Sequence, residues 1–197
     1  MTPADAPGSD PLEVFARWHQ DAVGGATDAD AMVLATATPD GRPSARFVLV
    51  RGITHEGLRF YTNYESRKGS ELAANPAAAA VWFDAAHRRQ VRVEGTVGQL
   101  DSALSDAYFA SRDRGHQLGA VASAQSTVLT DRDELEAAYA AAAARFEGEK
   151  VDRPPQWGGY LLVASIVELW LQREDRLHDR FAYTRGPDGW DAVRLAP

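Results

Sequence analysis

The stretch AMVLATATPDGRPSARFVLVRGI, residues 31–53, constrains the fold of this 197-residue chain more than any other segment. Two apolar runs flank a Pro-Asp-Gly turn. Proline presets φ and glycine supplies the positive φ, so the pattern predicts an antiparallel hairpin. GLRFYTN, AAAAVWFD and RQVRVEGTVGQL follow as further strands. Between them, SRKGSELAAN reads as a short helix stopped by Asn75 and Pro76. Six or so strands with short links and few crossover helices predict an antiparallel barrel and disfavour a doubly wound parallel sheet.

Helices flank this strand-rich section. Residues 1–9 are small and polar and are expected to form a disordered lead. Asp10 then reads as an N-cap with Pro11 at the first helical position, and Leu12, Phe15, Ala16, His19, Ala22 and Val23 follow at helical spacing. AVGGATDAD ends that helix. DSALSDAYFASR and GHQLGAVASAQS return to helix, and TDRDELEAAYAAAAARFEG is the strongest helix in the chain, with Thr130 as its expected N-cap. A Pro-rich linker, VDRPPQ, leads to WGGYLLVASIVELWLQ, RFAYTR and DAVRLAP, which read as strands closing the sheet. No repeat or boundary appears, so residues 10–197 are expected to form a single α+β domain that is mainly β.

Composition excludes several chemistries. The chain has no cysteine, which removes disulfides, thiolate nucleophiles and cysteine metal sites. Its five histidines show no metal-ligand spacing. A net charge of −7 argues against sequence-independent nucleic-acid binding but not against a small anion held by a local basic cluster. The apolar runs are too short to cross a bilayer and no signal-peptide pattern opens the chain, so a cytoplasmic protein is expected. Walker-type loops, G-x-G-x-x-G, H-E-x-x-H and G-x-S-x-G are absent.

Three places carry candidate chemistry. In FYTNYESRKGSEL, a strand ends at Tyr61 and Thr62, and a helix starts near Ser66. Arg67 and Lys68 then lie in the first helical turn, where they oppose the helix dipole. Free backbone N–H groups with two cations suit a phosphate, while the plainer alternative is a pair of surface charges. Arg46, inside the apolar strand ARFVLVR, needs an anionic partner. Gln90 opens a strand and is uninformative alone; Gln125 and Ser126 follow a helix, where end-capping is the plain explanation. Last, RLHDR at 176–180 places two guanidiniums and an imidazole just after Trp170. Taken alone, that pattern fits a charged turn as well as a site.

In order and spacing these segments resemble the pyridoxamine 5'-phosphate oxidase family from Asp10 to Pro197. The landmarks are DPLEVFARW, AMVLATATPDGRPSARFVLVR, FYTNYESRKGSELAANP, RQVRVEG, YFASR, QLGAVASAQS, WGGY, ELW, RLHDR and RLAP. The resemblance implies an FMN-binding split β-barrel and a homodimer with FMN at the subunit interface. It implies oxidation of pyridoxamine or pyridoxine 5'-phosphate to the aldehyde, with molecular oxygen reoxidising the flavin. Carried over by position, Arg46, Val48, Leu49, Tyr61, Thr62, Arg67 and Lys68 would hold the FMN phosphate and ribityl chain. Gln90 would face the flavin, Gln125 and Ser126 would reach it from the partner subunit, and Trp170 and Arg180 would border its ring. Arg51, Tyr108, Arg112 and His116 would bind the substrate phosphate. Arg176 and His178 would be the catalytic pair over the reacting carbon, on an extended strand with Leu177 and Asp179 turned away.

The chain departs from the family pattern on the substrate side. Arg51 stands where lysine is usual and His116 where serine is usual. WLQRED replaces the usual Trp-Gln-Gly run, and the basic N-terminal extension is largely missing. Two alternatives stand beside the lead reading: an oxidase of a secondary-metabolite pathway, phenazine-type or other, and a non-catalytic flavin-binding module.

Overall fold

The computed structural model describes residues 6–23 and 29–197. Helix α1 (Pro11–Val23) opens as expected, with the backbone N–H of Leu12 donating to Asp10 Oδ1 at 2.8 Å. Its expected terminator extends into residues 24–28, outside the described residues, as are residues 1–5 of the expected lead. Residues 6–9 are held in place rather than loose: Tyr183 Oη donates to the carbonyl of Gly8 at 2.9 Å, and Ala6 packs on the core.

The strands among the described residues number nine. They are β1 (Ala31–Ala37), β2 (Pro43–Leu49), β3 (Gly52–Ile53), β4 (Gly57–Asn63), β5 (Ala77–Asp84), β6 (Arg89–Gln99), β7 (Trp157–Leu171), β8 (Asp179–Gly186) and β9 (Gly189–Leu195). Helix α2 (Arg67–Ala74) interrupts them early. Helices α3 (Ser102–Ser111), α4 (Arg114–Ala122) and α5 (Arg132–Arg145) fill the gap between β6 and β7. The order is β2-β1-β5-β6-β7-β4-β3, with β8 added on β7 and β9 on β8, and every pair is antiparallel. Eight of the nine fall on segments that read as strands in the sequence, and the ninth, β3, is a two-residue strand paired with β4.

Strand β7 organises the molecule. Its first half pairs with β4 and the end of β6; its second half pairs with the start of β6 and with β8. The register shifts between Glu94 and Gly95, where Ser165 of β7 is passed over. A bulge of this kind bends the strand and lets one long strand serve two parts of a curled sheet. A side chain at Gly95 would place its Cβ 1.8 Å from the carbonyl oxygen of Val163, so glycine is the residue that permits the bend.

The main core lies inside the curl. Trp82, Phe60, Leu34, Met32, Leu162, Leu169, Phe181 and Tyr183 are buried there beneath Phe15 and Leu12 of α1. A second cluster of Phe109, Leu118, Ala142, Phe146, Val151 and Trp157 fixes α3–α5 against the start of β7. Helix α5 is capped by Asp131, not Thr130: Asp131 Oδ1 accepts from the N–H of Glu134 at 3.0 Å. Glu134 in turn accepts from the N–H of Thr130 at 3.0 Å, so the helix starts one residue later than expected. No helix among the described residues is long and apolar enough to cross a membrane.

Candidate active site

The site begins with Lys68 at the start of α2. Ser66 caps this helix, its Oγ accepting from the N–H of Gly69 at 3.3 Å. A Cβ at residue 69 would lie 1.9 Å from the carbonyl of Tyr64, so glycine lets the helix start press against the end of β4. Lys68 is thereby carried inward and is 8 % exposed, whereas Arg67 stays at the surface. Lys68 Nζ donates to Gln125 Oε1 at 2.7 Å, Thr62 Oγ1 at 2.9 Å and Ser66 Oγ at 3.2 Å. All three acceptors are neutral, and among the described residues no carboxylate pairs with this ammonium. Burial, with a smaller push from the Arg46 charge, lowers its pKa to about 8.

Arg46 has found the anion its position requires, and that anion is the protein's own Glu71. The guanidinium lies 3.2 Å from Glu71 Oε2 and donates to Thr36 Oγ1 at 2.6 Å, to the Leu34 carbonyl at 3.2 Å and to Ser44 Oγ. Glu71 also accepts from Thr36 at 2.5 Å, from Ser44 at 2.7 Å and from Arg67 Nε at 2.9 Å. The Thr36 hydroxyl above all, then Ser44 and Arg67, hold its pKa down at about 2 against burial. One carboxylate thus orders two of the guanidiniums assigned to the phosphate end. The i, i+4 spacing of Arg67 and Glu71 was the signal in the sequence that marks it.

Beside Lys68 lies a pocket of about 260 Å³, lined by Phe47, Val48, Leu49, Arg51, Tyr61, Thr62, Tyr108, Arg112, Gln125 and Trp157. Tyr61 and Tyr108 stack with centroids 3.8 Å apart, and Trp157 lies nearly parallel to both. Tyr108 Oη accepts from Arg51 Nε at 2.8 Å, and Arg51 also binds Asp30 through Nη1. Arg112 stands 4.6 Å over the Trp157 ring, and its buried Nη1 has no hydrogen-bond acceptor among the described residues. Burial is the main cause of its lowered pKa. His116 lines an adjoining pocket of about 290 Å³ that shares Arg112, Gln125 and Trp157. Ser126 follows Gln125 in the left-handed region, at φ 76°.

The remaining predicted residues gather elsewhere. Gln90, Trp170 and Arg180 occupy one rung across β6, β7 and β8. Arg180 Nε donates to the buried Glu168 at 2.8 Å and its Nη1 to the Ala196 carbonyl at 3.0 Å. His178 packs on Trp170, centroids 4.7 Å apart. Residues 176–178 are not an extended strand: Glu174–Arg176 form a 3-10 turn, with Asp175 and Arg176 at φ 53° and 61°, and β8 begins only at Asp179. The Trp157 and Trp170 ends of β7 are thirteen residues apart (157 to 170), on the order of 40 Å along the strand.

Gln125 meets Lys68 and Thr62 of its own chain, because α4 delivers it back across β4. The Gln90 rung, by contrast, lies far along β7 from that pocket. Trp157, Glu71, Asp30 and Glu168 were not singled out from the sequence. Nothing local marks Asp30 or Glu168, whose partners are distant in the chain.

The fold is an antiparallel split barrel that buries a lysine at the start of α2 with no carboxylate partner among the described residues. Residues 21–146 match the family described as pyridoxamine 5'-phosphate oxidase, and residues 157–197 match the pyridoxine 5'-phosphate oxidase C-terminal dimerisation region. The chain belongs to the pyridoxamine 5'-phosphate oxidase family. It is 52 % identical over 194 residues to the pyridoxine/pyridoxamine 5'-phosphate oxidase of Rubrobacter xylanophilus, covering 98 % of this chain and 89 % of that one. The protein of the same name from Thermosynechococcus vestitus is 50 % identical, covering 95 % and 89 %. Among solved structures, PhzG from Burkholderia lata, in complex with tetrahydrophenazine-1-carboxylic acid, superposes with a TM-score of 0.91 at 34 % identity, covering 98 % of this chain and 95 % of that chain. A pyridoxamine 5'-phosphate oxidase-related, FMN-binding protein from Nostoc punctiforme shares the fold, with a TM-score of 0.75 at 19 % identity and full coverage of both chains.

Proposed function

We propose that this chain is an FMN-dependent oxidase that converts pyridoxamine or pyridoxine 5'-phosphate to pyridoxal 5'-phosphate, with oxygen as acceptor and hydrogen peroxide as product, acting in the cytoplasm. The observation that carries the reading is Lys68, a buried ammonium with three neutral acceptors and, among the described residues, no carboxylate partner. Burying a cation this way is costly unless an anion joins it. A flavin phosphate is such an anion, and it fits the donor set of Lys68, Thr62 and the start of α2. Val48, Leu49 and Tyr61 line the same pocket. When bound, the flavin supplies the hydride-accepting chemistry that no side chain here offers.

The substrate end is carried by Arg112, Tyr108 and Arg51, with His116 at the rim. The buried Nη1 of Arg112 is a donor suited to a second anionic group, such as a substrate phosphate. Arg176, His178, Trp170, Gln90 and Arg180 complete the site from a second copy. The separation along β7 supports this division, since one chain holds the two groups at opposite ends of its longest strand. So do Phe47 and Leu49, which line the pocket while 74 % and 46 % exposed, and the match to a dimerisation region.

A second reading keeps the flavin but changes the substrate to an anionic aromatic of a secondary-metabolite pathway. The Asp30–Arg51 pair favours it, because it offsets one of the positive charges offered to a substrate phosphate. Oxygen consumption and aldehyde formation with pyridoxamine 5'-phosphate decide between the two. Robust turnover supports the first. A flavin that stays oxidised with that amine but is bleached by a dihydroaromatic acid supports the second, and a protein that fails to take up FMN refutes both.

A further inference from the structure

His178 stands in the catalytic pair, and the turn before it decides which of its nitrogens carries the proton. The backbone N–H of Arg173 donates to His178 Nδ1 at 3.1 Å. A nitrogen that accepts a hydrogen bond presents a lone pair, so the neutral ring must carry its proton on Nε2. The donor is a main-chain group, which cannot reverse its polarity as a hydroxyl or an amide side chain can.

The turn is tied down on several sides. Arg173 Nε lies 2.6 Å from Asp179 Oδ2, and Arg194 Nη1 lies 2.6 Å from Asp179 Oδ1. The N–H of Gln172 donates to the Arg88 carbonyl at 3.0 Å, and that of Leu177 to the Glu174 carbonyl at 3.0 Å. Asp175 and Arg176 hold left-handed backbone within this frame, which is tolerated because the anchors over-determine it. Trp170 supports the imidazole from one side. The ring is therefore fixed in both orientation and tautomer.

We propose that His178 acts as an Nε2–H hydrogen-bond donor to a lone pair on the substrate, and not as a general base, with the Arg173 N–H and Asp179 as its positioning groups. The donor role rests on the function proposed above; the tautomer does not. An Nε2 that already bears hydrogen has no lone pair for a substrate proton, and Nδ1 is committed to Arg173.

Long-range ¹H–¹⁵N spectra of the FMN-loaded protein at about pH 8.5, assigned through His178→Ala, read the tautomer directly. A proton on Nε2 and a bare Nδ1 are expected; a proton on Nδ1 overturns the proposal. Two further variants separate the roles. In His178→Gln the amide nitrogen falls where Nε2 stood, whereas in His178→Asn the amide oxygen replaces Nδ1 and no donor remains in the Nε2 place. His178→Ala is expected to lose about 10²-fold in turnover, in the range of a single positioned group. His178→Gln should recover at least tenfold of that loss, and His178→Asn should not. Glutamine no better than alanine means that a lone pair was needed, and asparagine as good as glutamine means that the ring only braces the turn; either result overturns the donor role. A native enzyme inactive towards pyridoxamine 5'-phosphate sinks the substrate assignment instead, while the spectrum still reports the tautomer.

Discussion

Raising the pH through 8 should weaken FMN binding, and Lys68 sets the size of the effect. In an unfolded chain its amine titrates near 10.5, while burial brings it to about 8 in the ligand-free fold. That difference is worth about 2–3 kcal/mol once residual solvent screening is allowed for. Between these values the unfolded chain binds more protons than the folded one, so the ligand-free protein gains stability as pH rises through that window. A bound phosphate restores the charged form and returns the amine towards its ordinary value. Affinity should thus be full below about pH 8 and fall about tenfold per unit above it, for a total on the order of 10²-fold by pH 10. Flavin fluorescence quenching, titrated at intervals from about pH 6.5 to 10, measures this dissociation constant. Lys68→Met should bind FMN weakly at all pH values, with the slope above pH 8 removed. A native profile that is flat from 7 to 10, or a slope that survives in Lys68→Met, refutes the assignment of Lys68 to the phosphate.

Two other outcomes test the frame around the site. Glu71→Gln should cost about 2–3 kcal/mol in urea unfolding at neutral pH, because Arg46 loses its buried counter-charge. The same carboxylate, held at about 2, predicts stability that is complete above about pH 4.5 and lost as pH falls through 2; the variant should lack this component of the acid transition. Arg88 is exposed and sits at φ 54° in the turn between β5 and β6, so Arg88→Gly should gain about 0.5–1 kcal/mol, read as a higher Tm with turnover retained.

Much of the fold was legible because its signals are local. The Pro-Asp-Gly turn gives the β1–β2 hairpin, Ser66 and Asn75 bound α2, and Asp10 with Pro11 starts α1. The shift of the α5 cap from Thr130 to Asp131 is a local competition between adjacent cap formers that sequence alone does not resolve. The turn at 174–176 is not legible in the sequence for a different reason. It contains no glycine or proline, and its left-handed residues are held by Asp179, Arg194 and Arg88, two of which lie well outside the segment.

The sequence by itself determined the antiparallel sheet, the placing of Arg67 and Lys68 in one helical turn, the absence of thiol chemistry and the family pattern. These follow from residue type at short spacing, where propensity and turn chemistry act. Only the tertiary structure decided that Arg46 is answered by Glu71, that Gln125 returns to its own chain's Lys68, and that the RLHDR residues stand at the far end of β7 from that lysine. It alone brought the backbone N–H of Arg173 against Nδ1 of His178. Each of these joins groups brought together by burial and strand register, and neither desolvation nor register can be read from neighbours in the chain.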